Sequence, residues 1–263
     1  MSDYTLPRST GVRTEQERLA LIQGYQDPHT IRHLTGVGVA SGWRCLDAGA
    51  GAGSITRWLC DRVGASGSVL ATDLDTELLD RIEAPNLTVQ RHDIRTDPLP
   101  DDRFDLVHTR LVLLHVPERA AVLDRLVRTA RPGGRIVVGD IDFTTIRLAH
   151  HDPIFERFTK IFDTAVRQAG WDPACGPQLP SMLERQGLTG VAAEMVRNYQ
   201  RGRSAAPAIL AMTYQRLRPL VIDCGVTPDE FDHVQALLSD PAVAIDGPAL
   251  WAAWGTRPVA QLG

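Results

Sequence analysis

One carboxylate precedes three alternating glycines in a short stretch, Leu46-Asp-Ala-Gly-Ala-Gly-Ala-Gly-Ser54, which is the part of the chain best suited to hold a ligand. The glycines at Gly49, Gly51 and Gly53 let the backbone turn tightly and let a ligand approach where a Cβ would otherwise intrude. Asp47, directly before them, would repel a pyrophosphate and suits a ligand that carries an ammonium group. The stretch therefore predicts a nucleotide-type ligand with a cationic part.

The spacing of these glycines argues against a dinucleotide. Counted from Gly49, the pattern G-x-G-x-x-G requires a glycine where this chain has Ser54. An NAD-dependent oxidoreductase therefore stays open only as an alternative, which a nicotinamide absorbance change would revive.

Further polar side chains end apolar runs later in the chain. Asp73 lies about 20 residues beyond the glycines, where an acid can accept hydrogen bonds from both hydroxyls of a ribose. Asp93 and Thr109 end the next two runs. Because the carboxyl ends of parallel strands meet at one edge of a sheet, we expect these side chains to lie close to the glycine turn.

The elements that must position these residues alternate between strand and helix. Strands are predicted near 43–47, 68–72, 87–91, 104–109 and 134–139, and helices near 54–63, 76–82 and 118–130. Such alternation predicts a parallel sheet with right-handed crossovers.

Helices are predicted on both sides of this core. Before it, one helix is expected from Glu15 to Tyr25 and a second from Pro28 to about Val37, since proline is tolerated in a first turn. Beyond the core, the apolar spacing predicts helices at 154–166, 179–186, 206–223 and 228–239, and strands at 191–199 and 250–255. Helices inserted among the last strands would form a lid over a pocket for a small organic substrate.

The composition fits an α/β protein. The 263 residues are 43% hydrophobic and 23% charged, and the net charge is −4. This charge and the absence of a basic run make nucleic acid a poor partner. No apolar run is long enough to cross a bilayer, and the four cysteines show no metal-binding or disulfide spacing, so a reducing cytoplasm and no metal are expected.

Five ordered segments between Leu46 and Asp140 resemble the motifs of the class I S-adenosylmethionine (SAM) dependent methyltransferases of the small-molecule, UbiE-like type. The resemblance covers about half of the chain. It implies a Rossmann-like, seven-stranded, doubly wound sheet with N-terminal helices and an inserted helical lid. The expected organisation is a single domain over residues 1–263, with a helical cap at 1–40, a SAM-binding core at 41–140 and the remaining sheet and lid at 141–263.

The same resemblance implies SAM as the cofactor and S-adenosylhomocysteine as the product. It assigns the ribose to Asp73 and the adenine amino group to Asp93, and it places Leu74 and Ile94 on the two faces of the adenine ring. The full set of expected cofactor residues is Asp47, Gly49, Ala50, Gly51, Asp73, Leu74, Asp93, Ile94, Thr109 and Arg110. Arg110 could reach the methionine carboxylate, with a structural ion pair as the alternative.

Two residues are candidates for a general base, which a hydroxyl or carbon acceptor can require. His115 follows the fourth strand, near the expected methyl position, and the alternative is that it packs against the cofactor or caps the next helix. Asp140 ends the fifth strand and could act as a base or orient the acceptor, and loop hydrogen bonding is its alternative.

The candidate substrate residues are Tyr25, Asp142 and Trp171, with Tyr4 as a further tyrosine that could line the mouth of the site. Large aromatic side chains often belong to the core instead. The predicted function is methyl transfer to a small molecule, in secondary metabolism. A SAM-binding cyclase, a macromolecule methyltransferase and a binding partner that retains the pocket stay open, as do monomer and homodimer.

Overall fold

The computed structural model describes residues 12–259, and the side chains from residue 15 onward. Its strands are β1 (Arg44–Ala48), β2 (Ser68–Asp73), β3 (Leu87–Arg91), β4 (Phe104–Arg110), β5 (Ala130–Asp142), β6 (Arg147–Leu148), β7 (Thr189–Val196), β8 (Tyr199–Arg201), β9 (Ala244–Asp246) and β10 (Ala249–Thr256). Its α-helices are α1 (Val12–Gly36), α2 (Ser54–Val63), α3 (Arg119–Thr129), α4 (Pro153–Gln168), α5 (Leu179–Arg185), α6 (Ala205–Arg216), α7 (Arg218–Asp223) and α8 (Pro228–Ser239). Short 3₁₀ turns lie at Leu79–Arg81, Leu113–His115, Phe143–Thr145 and Gly176–Gln178.

Seven strands form one sheet in the order β3-β2-β1-β4-β5-β10-β7. The pairs from β3 to β5 are parallel, whereas β10 and β7 are antiparallel. The order reverses direction at β1, so the carboxyl ends of β1 and β4 flank the switch point where ligands bind in sheets of this kind. The predicted Rossmann-like, seven-stranded α/β fold is confirmed.

The chain forms two compact units. The first, which we call the sheet unit, comprises Gln26–Asp142, Ala174–Val196 and Leu250–Gly263, and the second, the helical unit, comprises Met1–Tyr25, Phe143–Pro173 and Arg197–Ala249. The helical unit is thus built largely from segments inserted after β5 and after β7, as the sequence predicts for the lid. Its role as a lid, and the predicted domain boundaries, stay predictions.

The core of the sheet unit lies between the sheet and α2. Ile55, Leu59 and Val63 recur at helical spacing, and all three are buried against the apolar side chains of β1, β2 and β4. This packing fixes where α2 begins, and hence where the glycine turn before it must lie.

The helical unit has an aromatic core. Phe158 and Phe162 of α4 lie with ring centroids 4.8 and 4.9 Å from that of Tyr214 on α6, in edge-to-face geometry, and Phe231 of α8 also contacts Phe158. A three-stranded sheet in the order β6-β9-β8 belongs to the same unit. The apolar spacing of 154–166 correctly predicts α4, but the small sheet was not predicted.

The prediction of two N-terminal helices is wrong. A single helix, α1, runs from Val12 to Gly36 with Pro28 inside it. The Arg110 guanidinium donates hydrogen bonds of 2.9 Å to Asp27 and to Thr30, on either side of the proline. These bonds, with the buried positions of Thr30 and His33, hold the helix together where proline would otherwise break it.

Three other element predictions need correction. Only a 3₁₀ turn forms in 76–82, because the Asp75 carboxylate accepts a hydrogen bond from the Glu77 N–H and so competes with a helix. The helix predicted over 206–223 breaks at Leu217, next to the helix-starting Pro219. The strand predicted over 191–199 is two strands, β7 and β8, in different sheets.

No helix within residues 12–259 combines the length and the apolar character that crossing a membrane requires.

Candidate active site

The turn between β1 and α2 carries three glycines in left-handed backbone, with φ of 72° at Gly49, 58° at Gly51 and 77° at Gly53. A Cβ at Gly49 would lie 2.2 Å from Cγ2 of Val112, and one at Gly53 would lie 2.4 Å from Cδ1 of Ile82. A Cβ at Gly51 would meet no atom within 4 Å. Packing therefore requires the outer two glycines, whereas Gly51 leaves open space over its backbone for a ligand.

The glycine turn is tied to the end of β2. The N–H groups of Gly49 and Ala50 both donate to the Thr72 carbonyl, at 2.8 and 3.0 Å. The Gly51 N–H donates to Oδ2 of Asp73 at 2.8 Å. The open glycine and the acid that was predicted to hold the ribose are therefore in direct contact.

The Asp73 carboxylate is half-buried at the end of β2. Its Oδ1 accepts a hydrogen bond from the Asp75 N–H at 3.2 Å, and burial raises its pKa despite the backbone hydrogen bonds from Gly51 and Asp75. A group that accepts hydrogen bonds and lies at the mouth of the turn can take further donors, because each carboxylate oxygen has two lone pairs.

The predicted adenine residues lie at the next strand end. The side chain of Leu74 is 37% exposed, which leaves an apolar face open, and Ile94 is half-buried. Arg95 donates to both oxygens of Asp93 through Nε and Nη2, and these hydrogen bonds lower the pKa of Asp93. An adenine amino group would share this carboxylate with Arg95. No sequence pattern indicated this contact between Arg95 and Asp93.

The structure gives Asp47 two partners within the protein, and the predicted contact with an ammonium group stays a prediction. The residue is 2% exposed, Oδ1 lies 2.8 Å from Nδ1 of His108, and Oδ2 accepts the Thr56 hydroxyl at 2.6 Å. Since both oxygens are bonded to buried side chains, Asp47 joins β1 to β4 and to α2. It positions the glycine turn from beneath.

Arg110 forms the structural ion pair that was the alternative to a contact with the methionine carboxylate, and that contact stays a prediction. Its two terminal nitrogens are bonded to Asp27 and Thr30 of α1, and the ion pair with Asp27 is mostly buried. Thr109, one residue earlier, is 1% exposed, and its hydroxyl has no hydrogen-bond partner among residues 15–259. A buried hydroxyl of this kind is available to a bound ligand or water.

The two base candidates are linked through one turn. His115 ends the 3₁₀ turn Leu113–His115 and is half-buried. Asp140 is 2% exposed, and its carboxylate accepts the Leu114 N–H at 2.9 Å and the Ile141 N–H at 3.2 Å. Burial raises the pKa of Asp140 to about 7, although these bonds and one from Cys175 oppose the increase. Asp140 therefore supports the backbone that presents His115.

This raised pKa predicts how stability depends on pH. The native state keeps the Asp140 proton after the unfolded chain has lost it. The contribution of protonated Asp140 to the free energy of unfolding is therefore complete below about pH 4 and is lost as the pH rises through about 7. The loss is on the order of 4 kcal/mol at most. We expect Asp140→Asn to show a smaller fall in melting temperature between about pH 5 and pH 8 than the native chain.

The exposed Asp124 provides the control, since Asp124→Asn should leave the pH profile unchanged. If the melting temperatures of the native chain and of Asp140→Asn fall equally with pH, the assignment of a near-neutral pKa to this carboxyl is contradicted.

The predicted substrate residues fall in both units. Asp142 is 8% exposed at the end of β5 in the sheet unit. Tyr25, whose hydroxyl accepts a 2.9 Å hydrogen bond from Nδ2 of Asn198, and the buried Trp171 belong to the helical unit. Tyr4 lies outside the described residues. The assignment of these residues to a substrate stays a prediction.

Sequence reasoning missed His108 and Thr56, the two partners of Asp47. His108 lies 61 residues from Asp47. In the sequence it stands within the apolar run of β4, where nothing marks it as a partner of Asp47. Only the parallel pairing of β1 with β4, which sets Asp47 opposite His108, brings them together. The helical position of Thr56 carried no visible signal.

Comparison with known proteins agrees with this geometry. A sheet of this order, with an open glycine turn at the end of β1 and an acid at the end of β2, is a Rossmann-like arrangement of the kind that binds nucleotide-type ligands. Residues 46–138 match the family described as "Methyltransferase domain". This match over residues 46–138 supports the resemblance to the class I SAM-dependent methyltransferases and SAM as the cofactor of that segment.

Among sequences, the chain is 28% identical over 134 residues to the ubiquinone/menaquinone biosynthesis C-methyltransferase UbiE of Vibrio vulnificus, a match that covers 48% of each chain. The chain spans about half the length of the curated relatives it matches, or less.

Among solved structures, a candidate methyltransferase of Bacillus halodurans superposes with a TM-score of 0.58 at 15% identity, over 87% of this chain and 98% of that one. Phosphoethanolamine N-methyltransferase 2 of Haemonchus contortus, solved with S-adenosylhomocysteine, gives a TM-score of 0.53 at 15% identity, over 93% of this chain and 53% of that one. These likenesses show the shared fold.

Proposed function

We propose that the chain binds SAM at the carboxyl ends of β1 to β4 and transfers its methyl group to a small-molecule acceptor, as part of secondary metabolism. The observation that carries the proposal is the contact between Gly51 and Asp73. In this contact the N–H of an open glycine lies 2.8 Å from Oδ2 of Asp73, at the switch point of the sheet, which supports a ligand with hydroxyl donors there.

The residues around this contact suit the parts of the cofactor. The Asp73 carboxylate would accept hydrogen bonds from the ribose hydroxyls, and the Asp93 carboxylate would accept one from the adenine amino group. The exposed face of Leu74 and the half-buried Ile94 would cover the adenine ring. The buried hydroxyl of Thr109 fits a polar part of the ligand.

SAM supplies a methyl group on a sulfonium, which an acceptor atom takes by in-line displacement. The protein's part is to hold the two reactants at roughly 3–3.5 Å and to exclude water. Where the acceptor must lose a proton, His115 is the base we propose, held in place by Asp140 through the Leu114 N–H. Asp140 itself is too deeply buried to be our first choice as the base.

Three observations support a small molecule as the acceptor. The UbiE relative belongs by name to quinone biosynthesis, and the Haemonchus protein is named for phosphoethanolamine. The net charge of −4 and the absence of a basic run make nucleic acid a poor partner. Finally, its helical unit is built largely from inserted segments, which suits a cover over a small substrate.

The test is calorimetric titration with SAM and, separately, with NAD. We expect saturable SAM binding and no NAD binding. Replacing Asp73 by Asn removes the charge that two ribose hydroxyls would share, so SAM affinity should fall roughly thirtyfold or more. Asp75→Asn, two residues away on an exposed side chain, should bind SAM like the native chain.

Incubation of the native chain with SAM and pools of small acceptors then follows, with detection of S-adenosylhomocysteine. Binding of NAD without SAM would overturn the cofactor site. SAM binding with no S-adenosylhomocysteine from any acceptor pool would favour a SAM-binding cyclase or a macromolecule methyltransferase over the proposed activity.

A further inference from the structure

A second candidate ligand site lies wholly within the helical unit. It is a cleft of about 660 Å³ between α4 and the segment 143–150. Every residue that lines it belongs to that unit. Its volume falls within the range of pockets that take small organic molecules.

The inner wall of the cleft is aromatic. Phe143, Phe155 and Phe162 line it and are buried, and the rings of Phe143 and Phe162 meet edge to face at 5.5 Å. Tyr214 also lines the cleft and meets the ring of Phe162 edge to face at 4.9 Å. Such a wall favours a planar, apolar ligand.

The hydroxyl of Tyr214 is an unsatisfied polar group in this wall. The residue is 0% exposed, and among residues 15–259 its hydroxyl has no hydrogen-bond partner. Burial raises the pKa of Tyr214, so the phenol keeps its proton and can donate it to an acceptor. Buried hydroxyls normally have a partner, and a bound ligand would provide one.

The charged side chains at the rim are unequally paired. The carboxylates of Asp152, Glu156 and Asp163 each lie within hydrogen-bond distance of a histidine or arginine side chain. Arg147, in contrast, donates to two backbone carbonyls, and Lys160 makes no ion pair with the described residues. Two cations without a carboxylate partner therefore face a cleft whose acids are already engaged, which favours an anionic ligand.

We propose that this cleft binds an aromatic organic anion, with the ring against Phe143 and Phe162 and the anionic group near Arg147 and Lys160. The proposal goes beyond methyl transfer, because none of the residues that line the cleft is assigned above to the cofactor, the acceptor or the base.

Two fluorescent probes of matched shape test it on the full chain. 1-Anilinonaphthalene-8-sulfonate carries a sulfonate, and N-phenyl-1-naphthylamine has the same aromatic body without the charge. We expect one saturable site for the sulfonate and binding about tenfold weaker for the neutral probe. Equal affinities would mean that the cleft adsorbs apolar molecules only, and no saturable sulfonate binding up to its solubility would overturn the proposal.

Substitutions then locate the site. Lys160→Met and Arg147→Met should each weaken sulfonate binding about threefold to fivefold, and they should leave the neutral probe unaffected. Arg185→Met, an exposed arginine of α5 outside the cleft, is the control and should change neither. An equal effect of all three variants, or of none, would place the sulfonate elsewhere.

Tyr214→Phe separates a ligand role from a structural one. Because the hydroxyl has no partner to lose, the ligand-free variant should melt at the same temperature as the native chain or higher. The sulfonate should then raise the melting temperature of the variant less than that of the native chain. A ligand-free variant that melts several degrees lower would show that the hydroxyl is already bonded, against the proposal.

Discussion

Gly51→Ala is expected to abolish SAM binding while the protein stays folded. The new Cβ would enter the space over the glycine turn where no protein atom lies within 4 Å, and it would clash only with a ligand. The backbone at φ 58° costs an alanine about 1–2 kcal/mol, a small part of the stability of a protein of this size. Calorimetry with SAM should show at least a hundredfold loss, roughly 3 kcal/mol.

Gly190→Ala is a closely matched control. Gly190 has a φ of 60° and no atom within 4 Å of its Cβ position, but it lies on β7, away from the glycine turn in sequence. It should carry the same strain and bind SAM normally. Gly49→Ala should instead fail structurally, since its Cβ would lie 2.2 Å from Val112. If Gly51→Ala and Gly190→Ala bind SAM equally well, the ligand does not lie over Gly51.

Asp47→Ala should be the most destabilising of the acid substitutions in the sheet unit. It removes the partner of His108 and of the Thr56 hydroxyl, both of which are buried, and leaves their polar atoms unsatisfied. Each buried polar group left without a hydrogen-bond partner costs about 1–3 kcal/mol. Thermal unfolding should show a melting temperature lower by roughly 10 °C.

The control for this change is Asp124→Ala on α3. Asp124 makes an exposed ion pair with Arg128, so the same chemical substitution should cost less than about 1 kcal/mol. If Asp47→Ala and Asp124→Ala have similar effects on melting, the buried hydrogen bonds of Asp47 contribute little. Loss of SAM binding without loss of stability would instead support the predicted contact with the ligand's ammonium group.

The sheet and the outline of its candidate site were predictable because local patterns determine them. The helices 54–63 and 228–239 and the strand 87–91 coincide with the observed elements, since their apolar spacing and flanking glycines or prolines are purely local signals. The order of acids after the strands also indicated Asp73 and Asp93, because parallel pairing brings the carboxyl ends of strands to one edge.

The contacts that the sequence did not reveal share a physical cause, which is that the partner is distant in sequence. Arg110 is bonded to α1, 80 or more residues earlier, and this contact keeps α1 continuous through Pro28. Asp47 is likewise engaged by His108. Neither partner can be read from spacing, since only the folded sheet unit brings these groups together.

The place of β10 in the sheet has a consequence for biosynthesis. This strand, the last in chain order among the described residues, lies between β5 and β7, and it is antiparallel to β7. While the ribosome is still making the helices before it, β5 and β7 each present an unpaired strand edge. We therefore expect nascent chains to be most prone to aggregation just before β10 emerges, and chaperones to matter most at that stage.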